Sequence, residues 1–192
     1  MNKEAKLQIT KDKLLQAAAS LMEGMDDPMK VTSREIAKEA GVQPAMINYC
    51  FGSREDLIYC TFQKLYEDYM KEADVEAILK EDLSPKELLK RMHFVMARCL
   101  VTHFNFTKAI TGFVLFKRDL SKESFSAPYV MKHYAGRKTE EECRLIAYEL
   151  STMMQLIIFR KEDIKRDFGI DLENEDELRK VVDMRVDLLL GE

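Results

Sequence analysis

Gln43, Asn48, Tyr49 and Arg54 fall within twelve positions of one another in the run TSREIAKEAGVQPAMINYCFGSREDL, residues 32 to 57. A side-chain amide such as that of Gln43 or Asn48 can pair with the N6 and N7 edge of adenine, and Pro44 or Ala45 can touch a thymine methyl. The Tyr49 hydroxyl and the Arg54 guanidinium suit a phosphodiester. Thr32, Ser33 and Arg34 stand where a helix begins, and there free amides and the positive end of the dipole also favour a phosphate. These nine residues are the candidate contacts to double-stranded DNA, and their chemistry is recognition rather than turnover.

Other chemistries are thinly supplied. There is no Gly-rich phosphate loop, no nucleophile motif and no pair of carboxylates in an apolar setting, so no catalytic residue is assigned and no enzyme is expected. Cys99 and His103 lie at i and i+4, a spacing two metal ligands can use, and His93 stands two to three turns earlier. No third ligand is placed by the spacing, so neither a metal nor another cofactor is expected. Cysteines 50, 60, 99 and 143 form no CxxC pair and each falls in a helical pattern, which reads as buried thiols rather than a disulfide framework or a zinc site.

The recognition residues need short, well-braced elements behind them. Leu14, Ala18, Leu21 and Met22 form one stripe of a first helix from about residue 9 to 22, closed by Gly24 and Pro28. Thr32-Ser33-Arg34-Glu35 is a capping box that starts a second helix, which carries Ile36, Ala37 and Ala40 inward and stops at Gly41. After a turn of about four residues, Pro44 opens a third helix to about Cys50. In it Met46, Ile47 and Phe51 pack backwards, leaving Gln43, Asn48 and Tyr49 outward. Ser53 to Asp56 then caps a long fourth helix with apolar Leu57, Ile58, Phe62, Leu65, Tyr66 and Tyr69. Two helices joined by a short Gly-containing turn make a helix-turn-helix, whose second helix can enter a major groove.

Composition agrees. The 192 residues include only seven Gly and four Pro, no Trp and many unbranched side chains, which favours an all-α protein. With 46% hydrophobic residues the chain can bury a substantial core. The net charge of -4 argues against a protein that coats nucleic acid non-specifically. Residues 1 to 54 hold eight Lys/Arg against seven Asp/Glu, a balance of +1 that decides nothing alone. Lys3, Lys6, Lys11 and Lys13 fit an ordinary solvated terminus or flexible phosphate contacts. The N-terminus has no apolar run of signal-peptide length and no segment reaches the roughly 20 apolar residues of a membrane span, so a cytoplasmic location without membrane contact is expected.

Thr32, Ile36-Ala37, Ala40-Gly41-Val42, Ile47, Tyr49, Phe51, Arg54-Glu55 and Leu57, following an Ala-rich first helix, resemble the DNA-binding domain of the TetR family of bacterial transcription regulators. The resemblance covers about residues 9 to 60. Members often carry Ser, then Gly two residues on, then two aromatic residues ahead of the Phe. Here Gln43, Ala45, Asn48-Tyr49 and Cys50 stand in that stretch, and Arg54 replaces a common Lys, so the reading surface is individual. The resemblance implies an all-α C-terminal domain that binds a small molecule and forms a homodimer. The domains are therefore expected at 1–54 and 55–192.

Further helices are expected at roughly 85–103, 105–119, 127–136, 139–167 and 174–190, with no internal repeat or long linker, so the two parts share the fourth helix. Residues 85 to 160 are dense in Met and aromatics, which form core or line an adaptable apolar pocket. Tyr66, Met92, Met96, Phe113, Phe116 and Tyr148 are the candidates to hold a small apolar or aromatic effector. The 139–167 helix carries more apolar residues than one face needs. Leu150, Met153, Met154 and Ile157, with Val181, Met184 and Leu188 of the last helix, are the candidates for a two-fold four-helix interface, as in similar regulators. The whole then reads as a ligand-responsive regulator, a homodimeric repressor of a palindromic operator. The alternatives are an all-α enzyme, or a helical interaction module with a vestigial DNA-binding head.

Overall fold

The computed structural model describes residues 3–25, 30–120 and 124–191, and among them it is entirely helical outside turns and loops. Eleven helices follow one another: α1 Lys3–Glu23, α2 Ser33–Glu39, α3 Ala45–Phe51, α4 Arg54–Glu72, α5 Val75–Lys80, α6 Pro85–Thr102, α7 Phe104–Phe116, α8 Ala127–Tyr134, α9 Glu140–Phe159, α10 Lys161–Phe168 and α11 Glu175–Leu190. The all-α expectation is met. Pro28, expected to help close α1, lies outside the described residues.

Several helix starts follow directly from local chemistry. The Thr32 hydroxyl accepts from Glu35 N at 3.2 Å while the Glu35 carboxylate accepts from Thr32 N at 2.7 Å, so both halves of the expected capping box are present. Thr139 and Glu142 repeat it at α9 with 3.3 and 2.8 Å. Asn174 Oδ1 accepts from Asp176 N and Glu177 N at the head of α11. Ser53 and Ser84 take the Asp56 and Glu87 amides at 3.0 and 3.2 Å.

Three boundaries differ from expectation. Helix α1 begins at Lys3 rather than near Ile9, because Lys, Glu, Ala and Leu at 3 to 7 are strong helix formers and Leu7 is half-buried. The short α5 was not foreseen; Asp74 turns the chain with φ 47 and Val75 is its only buried residue. The expected 139–167 helix divides at Arg160, whose φ and ψ of -98 and 22 leave the helical region. Buried apolar side chains there stop at Ile158, Phe159 is exposed, and RKEDIKRD beyond it has too little to bury against the face that α9 packs.

The chain forms two compact units, Met1–Asp68 with His103–Lys117, and Tyr69–Thr102 with Arg118–Glu192. The first unit thus runs past the division expected at residue 54 and takes up α7. Its core includes Leu14, Ala18 and Met22 of α1, Ile36 and Ala37 of α2, Ile47 of α3, Leu57 of α4, and Phe106 and Ile110 of α7. Asn105 Nδ2 donates to Met25 O at 3.1 Å, and the Tyr59 and Phe113 rings lie 4.8 Å apart, which ties α7 into this unit.

In the second unit α6 packs against α5, α8, α9 and α11. Leu89, Val130, Ala147, Leu150, Val186 and Leu190 are central to its main cluster. Polar staples run along the α6–α11 seam: Lys86 and Lys90 reach Asp187 at 2.6 and 3.0 Å, and the Arg179 guanidinium lies 3.7 Å from the Phe94 ring centroid. His93 is buried and shares a 2.8 Å hydrogen bond with the Ser126 hydroxyl. Burial alone lowers its pKa to about 4, so the imidazole is neutral near pH 7.

Candidate nucleic-acid interface

The turn between α2 and α3 is built by two crossed backbone bonds, Val42 N to Ala37 O at 2.9 Å and Gly41 N to Lys38 O at 3.1 Å. Gly41 has φ 66, the left-handed conformation this closure demands, and there glycine carries no Cβ penalty. The amides of Met46 and Ile47 then donate to Gln43 O and Pro44 O as α3 begins, so Pro44 sits one position ahead of the helix.

Two opposed faces result from seven residues. Ile47 is fully buried, with Met46, Cys50 and Phe51 half-buried beside it. Ala45, Asn48 and Tyr49, at i, i+3 and i+4, are exposed together with Gln43 and Pro44 just ahead. Tyr49 is 63% exposed, far more than a ring used for packing between helices. The candidate base readers therefore project from the face opposite Ile47. Gly52, at φ 92, ends the helix with its amide on Asn48 O at 3.0 Å.

The candidate phosphate contacts are less uniform. Arg34 is exposed and Ser33 half-buried at the first turn of α2. Thr32 is already engaged, since its amide and its hydroxyl both donate to Glu35, the latter at 2.8 Å. Those bonds hold the Glu35 carboxyl below its ordinary pKa, so a permanent negative charge stands beside Thr32. Arg54 is also committed: its Nε donates to Val31 O, and Nη1 lies 3.4 Å from the Glu55 carboxylate. Both residues brace the motif, a role that spacing alone did not reveal.

The effector candidates divide between the two units. Tyr66, Phe113 and Phe116 belong to the first, and Met92, Met96 and Tyr148 to the second. Phe116 is 84% exposed at the last residue of α7, so its own unit does not enclose it. Met92 is core, packed with Val75 and Leu88. Met96 and Tyr148 are half-buried.

The interface candidates need a sharper correction. Leu150, Met154 and Val181 are buried inside the second unit and present no surface. Met184 and Leu188, one turn apart on α11, are 57% and 69% exposed, while Met153 and Ile157 are half-buried. Leu145, Leu156 and Phe159 of α9 and Phe168 of α10 are further exposed apolar residues, outside the set expected at the interface. Cys99 and Cys143 are buried as expected, whereas Cys50 and Cys60 are only half-buried. Among the described residues no group of three or more His, Cys, Asp or Glu side chains is placed to hold a metal ion, and no single helix is long and apolar enough to cross a membrane.

Residues 14–59 match the sequence model of the bacterial regulatory proteins of the tetR family. Two solved structures share the fold over nearly the whole chain. A TetR transcriptional regulator from Rhodococcus sp. RHA1 superposes with a TM-score of 0.59 at 17% identity, covering 97% of each chain. The TetR family repressor AlkX from Dietzia sp. strain DQ12-45-1b, implicated in biodegradation of n-alkanes, gives 0.54 at 16% identity over 93% of this chain and 94% of its own. No curated protein sequence is significantly similar to this one.

Proposed function

We propose that this chain, whose residues 14–59 match the tetR-family model and whose fold is shared with TetR regulators along its length, is a member of that family of bacterial transcriptional regulators and acts as a ligand-released repressor, homodimeric on a palindromic operator. One observation carries the reading: α3 buries Ile47 completely and turns Gln43, Ala45, Asn48 and Tyr49 outward, the division of labour a helix needs to be braced behind and chemically legible in front. Gln43 and Asn48 read base edges, Pro44 and Ala45 meet thymine methyls, and Ser33, Arg34 and Tyr49 hold phosphates. Thr32 and Arg54 act mainly by fixing the frame around them.

The exposed Met184 and Leu188 of α11, with Met153 and Ile157 of α9, pair with the same residues of a second subunit. A two-fold axis through that pairing sets two copies of α3 about one DNA turn apart. Met96 and Tyr148 contribute to the site of a small apolar or aromatic effector. The effector binds the DNA-incompetent state more tightly and so empties the operator by population shift. Helix α4 supplies residues to both compact units, which gives the two events a common element.

Selection of genomic fragments by the purified protein tests the reading. An inverted repeat should be enriched, and binding to it should weaken steeply with salt while exceeding binding to a scrambled duplex by at least roughly 1000-fold. Equal binding to both duplexes would overturn the proposal.

A further inference from the structure

Helix α1 begins at Lys3, yet its first buried side chain is Leu14. Residues 3 to 13 therefore form about 16 Å of helix, at about 1.5 Å per residue, with nothing in the core. So short a helical stretch is marginal in water on propensity alone. Here it lies along α3. Lys3, Glu4, Lys6, Leu7 and Thr10 face Met46 and Tyr49 across an open cleft of about 290 Å³. Farther along, Lys11 is near enough to Cys50 for its charge to offset part of the rise that burial imposes on that thiol.

The charge on this stretch is opposite to that of the chain. Positions 3 to 13 carry Lys3, Lys6, Lys11 and Lys13 against Glu4 and Asp12, a balance of +2 in a protein of -4. Asp12 accepts from Gln8 Nε2 at 3.0 Å. Among the described residues no carboxylate pairs with Lys3 or Lys6. Two ammonium groups against the single carboxylate of Glu4, which is itself engaged, with Tyr49 opposite and apolar Leu7 and Met46 between, leave the cleft net positive and suit a sugar–phosphate chain. The ammonium groups meet its phosphates and the apolar pair its deoxyribose.

We infer that the first turns of α1 are a second DNA-binding element, in which Lys3 and Lys6 hold the phosphodiester strand that flanks the groove entered by α3. The inference rests on the operator-binding reading above and adds to it a contact that carries no sequence information. Lysines on a preformed helix lose less freedom on binding than lysines on a disordered tail.

The test is the double variant Lys3→Gln, Lys6→Gln, with Lys3→Arg, Lys6→Arg as the charge-preserving counterpart. Far-UV circular dichroism reports whether α1 survives. Affinity for the selected operator and for a scrambled duplex is measured across a salt series. The Gln variant should lower the slope of log affinity against log salt by about 3.6 for the dimer, at about 0.9 for each of its four phosphate contacts, and weaken both duplexes by the same factor, on the order of a thousandfold at 0.1 M salt. The Arg variant should restore both slope and affinity. An unchanged slope with intact operator selectivity overturns the inference and leaves the operator reading standing, as does a loss of selectivity at constant slope. Absence of selectivity in the unmodified protein overturns the operator reading and this inference with it.

Discussion

Arg54 Nε donates to the main-chain oxygen of Val31, joining the first residue of α4 to the strand of chain that leads into α2. The bond closes the helix-turn-helix from behind, across twenty-three residues of sequence. An arginine at that place serves the fold before it serves any ligand. Arg54→Lys keeps the charge and loses the fork, since an ammonium cannot reproduce the planar guanidinium geometry. It should lower unfolding free energy by about 1.5–3 kcal/mol, the range for a hydrogen bond to a charged group. Urea denaturation of the two proteins measures this. Full stability with weaker binding to operator and scrambled duplex alike would instead place the Arg54 guanidinium on a phosphate.

His93 sets a pH dependence with a definite sign. Its native pKa is lowered to about 4 from the ordinary 6.5, so above pH 6.5 neither state binds the proton. Between pH 6.5 and 4 the unfolded chain binds it and the native chain does not, so stability falls as pH falls, by roughly 3 kcal/mol across the window at about 1.4 kcal/mol per unit. Below pH 4 the residue costs nothing further. His93→Gln can still meet the Ser126 hydroxyl but takes up no proton. It should be less stable than the parent at pH 7 yet lose roughly 2 kcal/mol less between pH 7 and 4.5. Parallel acid limbs for the two proteins in denaturant titrations would contradict this.

The caps, the Gly41 turn and the opposed faces of α3 were legible because each is decided within about seven residues. Thr32 and Glu35, or Thr139 and Glu142, satisfy each other whatever lies around them. The membership of the compact units was not legible. Helix α7 joins the first unit through Asn105 and Phe113, whose partners Met25 and Tyr59 lie far back in sequence. The split of α9 from α10 had a signal, the end of the apolar run at Phe159. In α11 the buried positions 178, 181, 182, 186 and 190 interleave with exposed 184 and 188. Hydrophobic type marked both sets, and only burial separates Val181 from Met184. Glu35 and Val31 likewise hid the bracing roles of Thr32 and Arg54.

That separation gives the dimer prediction its residues. Leu188→Glu places a charge on a side chain that is solvent-exposed in one subunit, so the subunit fold should tolerate it, with a change in unfolding free energy within about 0.5 kcal/mol per subunit once association is accounted for. Across a two-fold interface the same change buries a carboxylate against its own copy. Sedimentation should show a monomer, and operator affinity should fall steeply because two linked half-sites become two independent ones. Val181→Glu, by contrast, should unfold the second unit. A dimeric Leu188→Glu protein with full operator affinity would move the interface elsewhere.

Asn48 and Gln43 separate base reading from backbone grip. Both are exposed on or just ahead of α3, and only their main-chain oxygens, which accept from Gly52 N and Met46 N, take part in bracing the motif. Asn48→Ala should therefore leave the thermal midpoint unchanged. It should cost about 1–3 kcal/mol on the selected operator and almost nothing on a scrambled duplex, because the lost partner is an adenine edge present at one position. The salt slope should hold, since no phosphate contact is removed. Repeating the selection with the variant should show one degenerate position in each half-site where the parent shows a preference. Gln43→Ala should release a different position, nearer the turn. If both variants weaken every duplex alike, the amides touch the backbone and the assignment of base readers on this helix is wrong.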